Sequence, residues 1–232
     1  MMLQGLGSRR AVRDERGMSL PELIVAMAVF AILATVMVSM FTGFSRSFSS
    51  DRSAGESTGI ASTAMKELTR VIRAGTELPV PGLEGKNDPV FASASDDGVE
   101  LRAFLDTDAV SPAPVLVRFS VDAENRLIEE RWTATRAVRS WTFPAAAPPY
   151  RRTVAHSLTP REQREQPLFS YLDAKGEPIP LVAGAVPVQS LRMIAAVQVT
   201  LSVRTSGRSD VAPVVLQNSV GVPNLGISRV GL

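Results

Sequence analysis

Few side chains in this sequence could do chemistry. The 232 residues include no cysteine, so thiolate metal sites, cysteine nucleophiles and disulfides are excluded. The single histidine, His156, precedes Ser157. A base and a nucleophile make a catalytic pair only when a third group orients the base, and adjacency in sequence does not supply that, so His156 is expected to be a surface residue. Asp96, Asp97, Asp106 and Asp108 are oxygen ligands of the type hard cations take. They lack EF-hand spacing and are expected to be solvated turn acids. No glycine-rich phosphate loop is present. Trp132 and Trp141 lie among basic residues without a pattern for base stacking. No enzyme activity, cofactor or metal is expected, and no direct nucleic-acid partner.

The acid with the most unusual setting is Glu22. It closes the segment Gly17-Met18-Ser19-Leu20-Pro21-Glu22 and borders a run, Leu23 to Ser45, without one charged residue. As a helix this run is about 30 Å long or slightly more, close to the thickness of a bilayer's hydrocarbon core. It has no polar face, so it reads as a membrane-spanning helix rather than an amphipathic one. The position of Glu22 suits two functions. Ser19-Leu20-Pro21-Glu22 has capping-box spacing, proline is tolerated in a first helical turn, and an acid suits the positive end of the helix dipole. Alternatively, an acid at the margin of a membrane is costly, at roughly 2.5–3.5 kcal/mol near the helix centre, and is retained for a partner.

The order of these parts excludes an ordinary secretory signal, whose small-residue cleavage site comes after its apolar stretch. Here Gly17 precedes it. A glycine, an apolar residue, Ser-Leu-Pro-Glu and some twenty apolar residues together resemble the prepilin signal of type IV pilins and type II secretion pseudopilins. The resemblance implies that a prepilin peptidase cuts between Gly17 and Met18. It also implies that Met18 becomes the methylated N-terminus and that Glu22 serves in filament assembly. The family's usual first residue is Phe, so Met18 is a departure. This motif covers residues 17 to about 44.

Residues 1–17 would then be a basic leader, with Arg9, Arg10, Arg13 and Arg16 against Asp14 and Glu15. Its arginines favour a cytoplasmic N-terminus and place the chain beyond the span on the outer side of the membrane. Removing these four arginines and two acids from 25 basic and 23 acidic residues leaves 21 of each, so the mature chain is formally neutral. The basic balance is thus partly a property of the precursor and does not argue for nucleic-acid binding.

The elements beyond the span must carry a fold. Ile60, Ala64, Leu68, Val71 and Ile72 recur at helical spacing, so the helix is expected to continue to about residue 78 and to lay one stripe on a sheet. Gly43, Gly55 and Gly59 each weaken it by roughly 1 kcal/mol, which predicts bending or fraying near 43–59. Gly75 and Pro79 end it. From there the pattern alternates between short strands and turns. The segments 98–105, 114–121 and 126–133 read as strands, the last two forming a hairpin. Val197, Val199, Leu201 and Val203 read as a central strand with one wet face. Residues 134–165, rich in proline and charge, are expected to be an irregular insertion. The organisation is thus a leader at 1–17, a long helix at 18–78 with its span near 23–44, and a β-rich domain at 79–232. The fold class is α+β: a long N-terminal helix packed at its C-terminal half on an antiparallel sheet.

Two later segments add to the resemblance. Met65 to Ala74 is similar to the helix end of J-type minor pseudopilins, and Pro167 to Gly176 to the short aromatic-Asp-Gly hairpin many of them carry. The implied function is that of a minor pilin or pseudopilin, a single-pass inner-membrane protein built into a filament. Its implied partners are the prepilin peptidase and methyltransferase and other pilins or pseudopilins. The alternatives are a permanently tethered extracytoplasmic binding domain and a tethered hydrolase.

Overall fold

The structure is a computed structural model. It describes residues 18–80, 83, 86–106, 112–137, 140–144, 150–205 and 212–225. The leader with Gly17, Asp108 and the alanine-proline segment 145–149 lie outside the described residues.

The helix α1 is Leu20–Arg73. It continues without a break through Gly43, Gly55 and Gly59, where a Cβ would meet nothing within 4 Å, so the expected bending or fraying does not interrupt it. It stops at Arg73 rather than near residue 78, because the backbone beyond Arg73 is taken up by strands. Thr76 N–H donates to Arg102 O at 2.9 Å, and Gly75 pairs with Ala103. Gly75 makes this exit sterically feasible: a Cβ there would lie 2.7 Å from Val90 Cγ1 and 2.9 Å from Ile72 O.

The chain forms two compact units, one ending at Ser49 and the other starting at Ser50. In the first, the apolar side chains of α1 are exposed, Phe30 and Met40 each by 74%. A helix so apolar and so uncovered in water would be unstable, which is consistent with a lipid environment.

Among the described residues the second unit comprises the rest of α1, two short 3-10 helices and twelve short strands. These are β1 (Leu78–Pro79), β2 (Asn87–Asp88), β3 (Phe91–Ala94), β4 (Gly98–Ala103), β5 (Val115–Val121) and β6 (Leu127–Thr133). They continue with β7 (Thr135–Ala137), β8 (Ser140–Thr142), β9 (Tyr150–Ala155), β10 (Phe169–Leu172), β11 (Ala196–Val203) and β12 (Val214–Gly221). The main sheet has the order β3-β4-β5-β6-β9, a second sheet the order β10-β11-β12, and β1-β2 and β7-β8 form small pairs. Every pairing is antiparallel.

Within this unit, Ala61, Ala64, Leu68, Val71 and Ile72 are fully buried, and they share the core with Phe91, Phe119, Phe169 and Leu201. Ile60, expected in the stripe, is only partly buried, and Ala61 takes its place. This is the α+β arrangement of one long apolar helix packed on antiparallel sheets.

Two strand expectations need correction. The segment 134–165 is not a plain insertion: it contains β7, β8 and β9, and β9 is a full member of the main sheet. Its apolar alternation is weak because Arg152 points at Glu129, not at hydrocarbon. Strand β11 has no wet face over its second half, where Thr200 and Ser202 are buried. The segment after β9 covers it: Thr159 N–H donates to Ser202 O, and their hydroxyls lie 2.8 Å apart.

Candidate functional site

The first turn of α1 carries the acid singled out by its setting in the sequence. The Ser19 backbone N–H donates to Glu22 Oε2 at 3.4 Å, and the Ser19 hydroxyl lies 3.5 Å from the same oxygen. Leu23 N–H donates to Ser19 O at 3.1 Å, the first bond of the helix. Ser19 and Glu22 are thus in the capping-box relation that their spacing suggests, with long, weak contacts. Both residues are exposed, as is Met18, at 65%. Among the described residues no cation pairs with Glu22. Inside the apolar run, Thr35 donates to Ala31 O at 2.8 Å and Thr42 to Val38 O at 3.0 Å. These hydroxyls are satisfied within the helix, as a segment in hydrocarbon requires. The acid thus stands in the first turn of α1, next to an exposed Met18 and ahead of the uncharged run from Leu23 to Ser45.

Residues 12–38 match the family model described as the prokaryotic N-terminal methylation motif. The N-terminus is of the prepilin type. A prepilin-type N-terminus on a long apolar helix, with antiparallel sheets packed further along it, fits a pilin or pseudopilin anchored in the membrane by a single pass. It points to a structural subunit that a prepilin peptidase processes and that assembles with other pilins. No curated protein matches the chain.

The other sequence candidates among the described residues fall elsewhere, in the second unit. Asp96 and Asp97 are not solvated turn acids. Asp96 accepts from Arg161 Nη2, and Asp97 pairs with Arg161 at 3.4 Å and with Arg164 at 2.8 Å. The Arg164 side chain is only 5% exposed, and its Nη1 contact with Asp97 is an ion pair without hydrogen-bond alignment. Asp106 is exposed. No group of three potential metal ligands occurs among the described residues. His156 is exposed, and its Nδ1 lies 3.0 Å from Ser157 Oγ. No acid orients the ring among the described residues, so the third member of a triad is not in place.

Sequence reading missed a five-residue charge cluster between α1 and the main sheet. Glu129 on β6 is fully buried. Its two oxygens accept from Arg131 Nε at 2.5 Å and Arg152 Nε at 2.7 Å. Both arginines reach on to Glu67 Oε1 of α1, at 2.9 and 2.5 Å, and Arg70 chelates Glu67 at 3.0 and 2.6 Å. The Arg70 hydrogen bond holds the Glu67 carboxyl below its usual range; burial opposes this, and the charges of Arg70, Arg152 and Arg131 add to it. The cluster ties helix to sheet, and all its members have partners. The available signal was the hairpin register, which sets Glu129 opposite the inward-facing Phe119.

Proposed function

We propose that this chain is a minor pilin or pseudopilin of the J-type kind. Cleavage falls between Gly17 and Met18, Met18 carries the N-methyl group, and Glu22 is the acid used in assembly. The N-terminus faces the cytoplasm before processing and the β-rich unit lies outside, with the subunit entering a type IV pilus or a type II secretion pseudopilus. The observation that supports this best is Glu22 itself: a carboxylate that no cation pairs with among the described residues, at the start of an apolar helix. When such helices pack side by side away from water, an ionised Glu22 requires a positive charge. The run from Leu23 to Ser45 supplies none, and Arg46 lies 24 residues on, about 36 Å along a helix. The amine that cleavage frees at Met18, on a neighbouring subunit, is the nearest suitable cation. The large β-rich unit and its irregular connections favour a low-copy subunit over a shaft subunit. Shearing filaments from cells and probing for this chain tests the reading. Recovery at low abundance with the filament supports it, whereas retention of all the protein as membrane-bound monomer contradicts it.

A further inference from the structure

Strand β12 forms one edge of the β10-β11-β12 sheet. Its register pairs Val214 with Val203 and Gly221 with Ala196, and Val222 N–H continues the ladder to Ala195 O at 3.0 Å. In an antiparallel ladder alternate residues direct both backbone groups to the same neighbour. The even-numbered residues of β12 therefore bond to β11, and the N–H and C=O groups of Val215, Gln217 and Ser219 point away from it. Among the described residues nothing pairs with them. The strand is eight residues long and contains neither a charge nor a proline. It thus lacks the devices that usually blunt an open edge. Val215 is 56% exposed, and Gln217 and Ser219 are exposed too.

Beside this edge runs a groove of about 550 Å³, whose lining includes Met65, Lys66, Thr69 and Arg73 of α1 and Leu216 and Asn218 of β12. Asn218 Nδ2 donates to Thr69 Oγ1 at 3.3 Å across its floor. Among the described residues three cations line the groove, Lys66, Arg70 and Arg73, and no acid does. They sit at i, i+4 and i+7 on one helix face. Glu67 occupies Arg70, whereas Lys66 and Arg73 have no ion-pair partner among the described residues.

We infer that the edge of β12 and the basic flank of α1 together bind an extended, acidic segment of another protein chain. Its backbone would pair with Val215, Gln217 and Ser219, and its carboxylates would meet Lys66 and Arg73. Backbone pairing gives such a site affinity, and the side chains beside it give the selectivity. An incoming helix would leave the open backbone groups unpaired. A basic segment would face three like charges. The inference goes beyond the reading of the chain as a filament subunit, and it stands or falls independently of processing at Gly17.

The test uses the full chain in detergent micelles. One probe is a synthetic peptide of alternating valine and glutamate, matched to β12 in length, and the other has lysine for glutamate. Backbone hydrogen exchange is monitored at Val215, Gln217 and Ser219. The glutamate peptide is expected to slow exchange at these three positions and to bind at least about tenfold more tightly than the lysine peptide. The double variant Lys66→Glu/Arg73→Glu is expected to reverse that preference. Gln217→Pro removes an N–H that points away from β11, so the sheet survives while peptide protection is lost. Equal binding of both peptides, or no protection by either, overturns the proposal. So does protection without peptide: if it rises with protein concentration a second copy pairs at the edge, and if it does not the chain covers its own edge.

Discussion

At the scale of single residues, Glu22 is held, among the described residues, by nothing stronger than its long contacts to Ser19, at 3.4 and 3.5 Å. A cap of this kind does not need a charge, since glutamine fills the same position in a capping box. Glu22→Gln is therefore expected to insert, to be processed and to fold, yet to be depleted from sheared filaments. Wild-type recovery in the filament fraction would reduce Glu22 to a cap. Glu67 has the opposite character, an acid fully engaged by three arginines. Its carboxyl titrates below the usual 4.5 in the folded chain. Its pairing thus adds stability that is present above the unfolded value and is lost as pH falls through the lower, folded one. Denaturant unfolding measured from about pH 7 to about pH 3 is expected to show Glu67→Gln less stable at neutral pH, with a shallower loss on acidification than the parent. An identical acid limb in parent and variant would contradict the linkage.

At the scale of elements, the helix and the sheets meet through Leu68. It is fully buried, among Val71, Ile72 and the aromatic residues of the sheets. Leu68→Ala is expected to lower unfolding stability by about 2–5 kcal/mol, as large-to-small core changes do. A loss below about 0.5 kcal/mol, the usual size of surface effects, would show that the stripe does not form the interface. This stripe was legible because apolar residues recur at helical period, β4, β5 and β11 because they alternate, and β6 as the return strand of the hairpin with β5. Each element that was not legible had one cause. Strand β9 was hidden because its inward residue is Arg152, which pattern reading assigns to solvent. Helix termination at Arg73 depends on Thr76 bonding to Arg102, a contact 26 residues away in sequence. The buried face of β11 depends on Thr159, brought there by the chain after β9. Polar groups satisfied by distant partners leave no periodic trace.

At the scale of the whole molecule, the anchor was the most legible part, because hydrocarbon imposes the same requirement on every residue of a span and leaves little to tertiary context. The strand edge and the charge cluster were invisible, since both require register and packing. On the proposed reading the peptidase cuts after Gly17, a residue without a side chain. Gly17→Leu is expected to accumulate as an uncleaved, membrane-inserted precursor, detected as a slower-migrating band. Normal maturation of that variant would remove Gly17 from the cleavage site. The most direct measurement is intact mass and N-terminal sequencing of the chain purified from cells with an active prepilin peptidase. The expected result is a chain that begins at Met18 and carries one added methyl group. A chain that retains residues 1–17, or begins at any other residue, would contradict the assignment of this protein as a processed filament subunit.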